Sequence, residues 1–302
     1  MSRFAVLTDA QWARIEPLMP SSDGQRGRPF RDHRQVVEGI VYRFRTGIAW
    51  RDLPESFGPW QTLWKRHKRF STDGTWDKIH ARLVAEADAA GGVDWTVSVD
   101  STINRAHQHA VTLRRVEHPA GRRPPQGAEP NYKDLRAEPL DHALGRSRGG
   151  MSTKIHQLVD GRGRPLVIAL TPGQAGDSPM LAPLLSHLAV KRLGPGRPRT
   201  RPEALIGDKA YSSRAIRARL RARGIKTVIP QPADQIAHRR RRGAAGGRPP
   251  EFDALTYKRR NVIERSFNDH KQWRGIATRY DKLAAVYRGG IVLRAITLWL
   301  RQ

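Results

Sequence analysis

Cysteine is absent from this chain of 302 residues. Its absence excludes disulfides, zinc knuckles, iron–sulfur clusters and thiolate catalysis, so any bound metal must be held by Asp, Glu or His. Long apolar runs are also missing, since the nearest, GGIVLRAITLWL, is interrupted by Arg294 and falls short of the roughly 18 residues that span a bilayer. The first residues, MSRFAVLTDAQW, lack the pattern of a signal peptide. We therefore expect neither a membrane span nor secretion.

Acidic residues are scarce: Asp and Glu total 28 against 55 Lys and Arg, which gives a net charge of +27 and an isoelectric point near 11.4. Such an excess attracts polyanions, above all nucleic acid. Arginine suits bidentate phosphate and guanine contacts better than lysine does. An anionic membrane surface is the alternative partner, but no basic helix carries Trp and Leu on its opposite face. The composition therefore predicts a nucleic-acid partner and no membrane.

The first ninety residues have helical patterns. Thr8 and Gln11 form a capping box, apolar positions from Val36 to Phe44 precede Gly47, and two further helices flank the turn STDG. The length of the chain allows about two domains. We expect residues 1–90 to form a helical domain with a compact aromatic core, because five of the eight tryptophans lie there. They are Trp12, Trp50, Trp60, Trp64 and Trp76.

One helix of this region is strongly basic. It carries Lys65, Arg66, Lys68 and Arg69 and lies next to a short turn, as in helix-turn-helix DNA readers. Three-helix units with a solvated basic face are also common, so the pattern leaves DNA reading and a plain solvated face both open.

From Asp94 the pattern changes to short apolar runs alternating with helices, which predicts an α/β domain with a mixed sheet over residues 91–302. The strand-like runs are WTVSVDST, TKIHQLVD, PLVIALTPG, EALIGDKAY and KTVIPQP. Two basic stretches rich in Gly and Pro interrupt the pattern, near residues 114–148 and 234–250. We expect both to be flexible insertions.

Three carboxylates are placed to meet at one edge of this sheet. Asp100 ends the first β run, Asp208 ends or just follows the fourth, and Glu264 lies on a later helix. Three carboxylates without cysteine favour Mg²⁺ or Mn²⁺ over zinc. Two such ions about 4 Å apart activate an attacking hydroxyl and stabilise the leaving oxygen of a phosphodiester. As separate residues, the aspartates could each instead bond a turn amide.

Glu264 belongs to a stripe of functional side chains in YKRRNVIERSFNDHK. At about 100° per residue, Tyr257, Arg260 and Lys271 return to the side of a helix that carries Glu264. Arg260 and Lys271 could hold phosphates and Tyr257 could stack on a sugar or base. The alternative is a solvated face in which Arg260 and Glu264 form an ordinary i,i+4 ion pair.

The spacing Y-(2)-R-(3)-E-(6)-K of these four residues is the signature of the DDE transposases of bacterial insertion sequences. Nearly the whole chain resembles the insertion sequence 5 family, including LTDAQWARIEPLMP, RTGIAWRDLP, VDSTINRAHQHA, GRSRGGMSTKIH, TPGQAGDSP, GDKAYSSRAIR and KQWRGIATRYDK. The resemblance implies a ribonuclease-H-like mixed-sheet catalytic core, preceded by the small helical, helix-turn-helix-like domain. It implies a DDE triad of Asp100, Asp208 and Glu264, and a cytoplasmic, nucleoid-associated protein.

The activity implied by the resemblance is cleavage at the ends of the element and joining of the freed 3′-OH to target DNA, with Mg²⁺ or Mn²⁺, two ions per site, and no covalent protein–DNA intermediate. The partners are then the double-stranded DNA of the ends and the target, and a homodimer or larger assembly that holds two ends together. Two alternatives remain: an inactive or domesticated DNA-binding regulator, and a nuclease of the same fold without strand transfer.

Several further residues are candidates for accessory roles. Arg239, Arg240, Arg241 and Arg242 would bind phosphate without sequence preference, or form a solvated loop. His107 and His109 could contact DNA or a metal, or be structural. Asp177 is placed to start a helix and could assist the triad. Trp273 could stack on a flipped base or pack in the core.

Overall fold

The computed structural model describes residues 7–22, 29–113 and 132–301. The N-terminal helices are α1 (Asp9–Ile15), α2 (His33–Thr46), α3 (Trp60–Thr72) and α4 (Thr75–Ala89). The next elements are β1 (Thr96–Ala106), β2 (Gly145–Ser147), β3 (Gly150–Val159), β4 (Pro165–Pro172), α5 (Leu181–His187), β5 (Ala204–Ile206), α6 (Arg214–Ala222) and β6 (Lys226–Val228). The last are α7 (Ala233–Arg241), α8 (Ala254–Lys258), α9 (Asn261–Lys271), α10 (Arg274–Ala277), β7 (Thr278–Arg279) and α11 (Ala284–Trp299).

The N-terminal helices begin and end at the signals found in the sequence. Thr8 caps α1, accepting a hydrogen bond from the amide of Gln11, whose side chain accepts one from the amide of Thr8. Gly47 ends α2 in the left-handed conformation at φ 74°. The turn between α3 and α4 contains Asp73 and Gly74, with Gly74 at φ 85°. The four predicted helices of this region are confirmed.

The described strands form a seven-stranded mixed sheet, as the alternation of strands and helices predicts. β1 lies in its middle, antiparallel to β3 and parallel to β5. β6 continues the sheet parallel to β5, β2 and β4 both pair with β3, and the two-residue β7 pairs with the end of β1. The sheet therefore brings the middle of β1 and the end of β5 side by side.

β1 is longer than predicted. The sequence predicts a strand that ends at Asp100, but the pairing with β3 continues from Ser98 to Arg105, so Asp100 lies in the middle of the strand. The buried side chain of the second half of β1, Asn104, meets polar partners. The amide of Asn104 donates to the carbonyl of Ile276 and to the hydroxyl of Tyr287.

The hydrophobic core runs from the N-terminal helices into the sheet through α11. Every residue of α11 is buried, and the helix lies against α3, α4 and β4. Gly289 permits the close approach to α3, because a Cβ there would lie 2.0 Å from Ser71 Oγ. Gly290 permits a similar approach to α2, because its Cβ would lie 2.2 Å from Phe44 Cε1. The helical region and the sheet thus share one core.

One predicted loop differs from the structure. Arg239, Arg240 and Arg241 form the last turn of α7 instead of a loop, with Arg242 as its C-cap. The helix begins after Pro232 and has an acidic residue, Asp234, in its first turn, and both favour a helix N-terminus. The run of arginines that follows had suggested a loop instead. Of the insertion predicted at 114–148, residues 114–131 lie outside the described residues, and the rest contains turns and β2.

The partial exposure of three tryptophans also departs from the prediction of an aromatic core. Trp12 and Trp76 are buried, but Trp50, Trp60 and Trp64 are only partly covered. None of the helices in the described part of the chain is both long and apolar enough to cross a bilayer.

Candidate active site

Asp100 and Asp208 lie side by side at the centre of the sheet. β1 and β5 are parallel, and their last paired residues are Ser98 and Ile206, so each aspartate stands two positions beyond the same pair. Adjacent strands lie about 4.8 Å apart. Burial raises the pKa of Asp100, and the neighbouring carboxylates of Asp208 and Glu264 raise it further, against the hydrogen bond from the Ser101 amide and the charge of Arg260. The three predicted carboxylates therefore converge.

Glu264 reaches this cluster from α9, which is held on the sheet by polar contacts. Ser266 donates to the side-chain oxygen of Gln157 on β3 at 3.2 Å. Val262, Ile263 and Phe267 bury the apolar side of the same helix against Val159. The opposite, exposed side of α9 carries Glu264 to the edge of the carboxylate cluster.

Arg260 lies between two of the carboxylates. Its Nη1 donates to Asp100 Oδ2 at 2.6 Å and to Glu264 Oε1 at 3.3 Å, and its Nη2 donates to Glu264 Oε1 at 3.2 Å. The i,i+4 pair of Arg260 and Glu264 is present, but Arg260 also contacts a carboxylate 160 positions away in the chain. The guanidinium therefore belongs to the site as well as to the helix.

Lys271 lies on the same side of α9 and contacts β1. Its Nζ donates to Thr102 Oγ1 at 2.7 Å, two positions beyond Asp100. Burial lowers the pKa of Lys271, while the charge of Glu264 works in the opposite direction. An ammonium group with a neutral partner remains able to bind a phosphate oxygen.

Tyr257 does not share a helix with the other three residues. The predicted continuous helix is divided, because α8 ends at Lys258 and α9 begins at Asn261. The ring of Tyr257 lies 5.3 Å from that of Phe252 and packs against the small cluster of Ala204, Ile206 and Val228. Tyr257 is thus anchored to the strands that carry Asp208, while Arg260 starts the helix that carries Glu264.

Asp177 is connected to the cluster through Ser101. Its Oδ1 accepts hydrogen bonds from Ser101 Oγ at 2.6 Å and Lys154 Nζ at 2.9 Å, and the Ser101 amide donates to Asp100 Oδ1 at 2.8 Å. Burial opposes ionisation of Asp177, but these bonds outweigh it and lower its pKa. Asp177 lies at the start of a short helix, Ser178–Met180, as the sequence predicts. Ser101 and Lys154 carry no local sequence signal and were not predicted.

Tyr211 is a third residue that the sequence did not point to. It is fully buried, and its hydroxyl has no hydrogen-bond partner among the described residues. Burial raises the pKa of this phenol, and the charges of Asp177, Asp100 and Asp208 add to the effect. A neutral phenol therefore lies beneath the carboxylates.

The donor set suits a hard divalent cation. Asp100, Asp208 and Glu264 supply only carboxylate oxygens, and their mutual repulsion favours a positive charge among them. Across residues 7–22, 29–113 and 132–301, no three His, Asp or Glu side chains are already grouped to hold an ion. Arg260 is the cation that Asp100 and Glu264 share. A metal ion bound by these carboxylates would compete with that guanidinium.

The histidines and Trp273 lie away from the carboxylates. His107 and His109 follow the far end of β1, seven and nine positions beyond Asp100, with ring centroids 4.7 Å apart. Trp273 is 5% exposed, and the guanidinium of Arg294 lies 5.0 Å from its ring centroid. The structure thus favours core packing for Trp273 over stacking on a base.

Basic side chains form two surfaces outside the site. On α3, Lys65, Lys68 and Arg69 are exposed, but Arg66 is partly buried with its guanidinium 3.4 Å from the ring centroid of Phe30. On α7 the second surface comprises Arg239, Arg240, Arg241 and Arg242, of which Arg239 is partly covered. Among the exposed residues of these two surfaces, Arg69 pairs with Asp73 at 3.5 Å.

Two family models match successive parts of the chain. Residues 91–300 match the family model described as "Transposase DDE domain", and residues 7–80 match "Putative transposase of IS4/5 family". The chain is 35% identical over 151 residues to the "Putative transposase for insertion sequence element IS6501" of Brucella ovis, covering half of this chain and all of that protein.

Two further relatives match shorter regions. An uncharacterized protein of Sinorhizobium fredii is 39% identical over 119 residues, which cover 39% of this chain and 89% of the relative. A 16.2 kDa uncharacterized protein of insertion element IS402 from Burkholderia cepacia is 35% identical over 108 residues, 33% of this chain and 74% of the relative. No solved structure matches significantly.

Proposed function

The chain belongs to the transposase DDE domain family, and from this premise we propose that it binds the ends of its own insertion element, cleaves them and joins the freed 3′-OH to target DNA. The observation that carries the proposal is the convergence of Asp100, Asp208 and Glu264, with Arg260 and Lys271 beside them. These side chains combine a hard-cation site with two phosphate-binding cations in one place. The proposed place of action is the nucleoid in the cytoplasm.

Asp100, Asp208 and Glu264 would hold Mg²⁺ or Mn²⁺, two ions per site. Held by these carboxylates, such ions would activate the attacking hydroxyl and stabilise the leaving oxygen. The surrounding residues prepare the carboxylates for this role. The Ser101 amide orients Asp100 by its bond to Oδ1, and the amide of Ala210 orients Asp208 by a bond of 2.9 Å to its Oδ1.

The cations of the site bind the DNA backbone. Arg260 has five N–H donors in a planar fork that fits two phosphate oxygens, so a phosphate can replace the carboxylates as its partner. Lys271 is anchored by Thr102 and adds a second positive charge on the same side. Together they hold the scissile or neighbouring phosphate in line with the attacking hydroxyl.

The test is a cleavage and strand-transfer assay in Mg²⁺ on labelled DNA that carries the element's own ends. Asp100→Asn, Asp208→Asn and Glu264→Gln each remove a metal ligand and leave the phosphate-binding cations in place, so we expect end binding to persist and joined products to disappear. Asp52→Asn and Glu55→Gln, two exposed acids of the helical region, are matched controls that keep full activity.

The alternatives predict different results. A nuclease of the same fold gives cleaved ends that are never joined, and a regulatory DNA-binding protein gives binding without cleavage by the unmodified chain. Joined products that persist in any of the three carboxylate variants would remove that residue from the triad.

A further inference from the structure

An exposed basic loop connects α5 to β5. It is closed at its base by two backbone hydrogen bonds between Val190 and Arg199, at 2.9 and 2.8 Å. All eight residues between them, 191–198, are exposed, and we call this segment, KRLGPGRP, the basic arm. Because none of its side chains is buried, packing in the hydrophobic core does not account for its sequence.

The base of the arm is fixed to the beginnings of two strands. Val190 is buried, and the guanidinium of Arg199 lies 4.1 Å from the ring centroid of Trp95. Arg199 also pairs with Glu203 at 2.9 Å. Trp95 directly precedes β1 and Glu203 directly precedes β5, whereas Asp208 follows the opposite end of β5. The arm is therefore held where these strands begin, away from the carboxylate cluster.

The arm carries three cations and no acid. Lys191, Arg192 and Arg197 are exposed, and none of them forms an ion pair with another residue of the described chain. The side chain of Arg192 lies across the arm, since its Cδ is only 3.1 Å from the place that a Cβ on Gly196 would take. Three unpaired positive charges are thus concentrated in eight residues.

The C-terminal end of α6 adds to this charge. Arg223 Nη2 donates to the carbonyl of Thr200 at 2.7 Å, and Nη1 of Arg201 lies 3.1 Å from the place of a Cβ on Gly224. Arg201 is exposed and Arg223 is partly exposed. The nearest acid along the chain, Glu203, is already paired with an arginine. The arm and its neighbours therefore form a third basic surface.

The make-up of the arm favours a polyanion over a peptide strand or a membrane. Pro195 and Pro198 lack the N–H that a strand needs to pair with another strand. Leu193 is the one large apolar side chain of the arm, whereas binding to a bilayer needs a continuous apolar face. Guanidinium groups fit phosphate oxygens through two parallel hydrogen bonds. In a transposase the polyanion with such phosphates is DNA.

We propose that the basic arm binds the phosphate backbone of double-stranded DNA, at a surface separate from the carboxylate cluster. Arg201 and Asp208 lie at opposite ends of β5, so the arm would hold DNA without contacting the bond that is cut. The proposal rests on the proposed function only in taking DNA as the polyanion.

The experiment measures the affinity of the full chain for a duplex at several salt concentrations, with a chelator present so that binding is separated from cleavage. Lys191→Gln, Arg192→Gln and Arg197→Gln should each reduce the log-log salt slope by about 0.9, because each removes one phosphate contact. The three changes together should reduce it by about 2.7. Because the side chains are exposed, thermal unfolding of these variants should match that of the unmodified chain.

Lys78→Gln is the matched control. It removes the same charge from an exposed lysine of α4, outside the arm, and should leave the slope unchanged. A slope that falls as much in Lys78→Gln as in the arm variants would overturn the proposal, because net charge alone would then explain the result.

An unchanged slope in the variant with all three substitutions would also overturn the proposal. If that variant instead loses binding to vesicles of phosphatidylserine while its duplex slope is unchanged, the arm is a membrane contact and the proposal is wrong. Failure of the proposed function is seen separately, as the absence of cleavage and joining by the unmodified chain in Mg²⁺.

Discussion

Arg260 is expected to compete with divalent metal for the carboxylates, so Arg260→Gln should tighten Mn²⁺ binding to the protein without DNA. The guanidinium is the shared partner of Asp100 and Glu264, at 2.6 Å and 3.2 Å. A metal ion that takes both carboxylates must break these two ion pairs. Removing the guanidinium removes that cost.

The magnitude follows from the burial of the two pairs. The side chains of Arg260 and Asp100 are 25% and 15% exposed, and a charged hydrogen bond in such a place contributes about 1.5–3 kcal/mol. The side chain of Glu264 is 51% exposed, so its pair contributes little. Taking the lower value, we expect Mn²⁺ affinity to rise about tenfold.

The assay is titration of free Mn²⁺ by electron paramagnetic resonance in the absence of DNA. Arg259→Gln is the matched control, because it removes the same charge at the neighbouring position. Arg259 pairs with Asp94 and not with Asp100 or Glu264. The reasoning is refuted if both variants bind Mn²⁺ with the same affinity, or if Arg260→Gln weakens binding. Cleavage by Arg260→Gln should fall although its metal affinity rises, because the guanidinium proposed to bind the phosphate is gone.

Three further outcomes are expected. Asp177→Asn should lower the free energy of unfolding by about 2 kcal/mol at pH 7. Because folding lowers the pKa of Asp177, the loss should be full at pH values above the usual pKa of an aspartate and should shrink as the pH falls through the lowered pKa. Urea unfolding at several pH values would show this. Burial lowers the pKa of His67 to about 4, so the folded protein keeps this histidine neutral while the unfolded chain protonates it below about pH 6.5. The free energy of unfolding should therefore be about 2 kcal/mol lower at pH 5 than above pH 6.5. His67→Gln should lose less over the same pH range in the same measurement. Replacing Arg239 to Arg242 by Ala should reduce the log-log salt slope of duplex binding by about 0.9 for each phosphate that these arginines neutralise, whereas an unchanged slope would show that α7 does not touch the backbone.

Local chemistry explains which parts of the fold the sequence predicts well. Thr8 and Gly47 set helix ends through hydrogen bonds and backbone angles within a few residues, and both ends are where the sequence places them. The mixed sheet follows from strands that alternate with helices. The extent of β1 beyond Asp100 depends on β3, about fifty residues away, so the run of apolar residues gives no sign of it.

The same distinction applies to the site. Asp208 and Glu264 are recognisable because a strand end and a helix period point to them, and the spacing to Arg260 and Lys271 agrees with a known signature. The division between α8 and α9 has no Gly or Pro to mark it, so helical periodicity extends wrongly to Tyr257. The links from Asp177 to Ser101 and Lys154 exist only after β1, β3 and the segment beyond β4 meet.

On the proposed function, the position of Arg260 would also link metal binding to DNA binding. In the protein alone the guanidinium serves the carboxylates, and on DNA a phosphate can take their place, which frees the carboxylates for metal. Each ligand then raises the affinity for the other by the same factor, because coupling between two sites is reciprocal. Without Arg260 the two binding events lose this coupling. The gain in Mn²⁺ affinity on adding DNA should therefore equal the gain in DNA affinity on adding Mn²⁺ in the unmodified chain, and both gains should fall together in Arg260→Gln. Equal gains that survive in Arg260→Gln would assign the coupling to another residue.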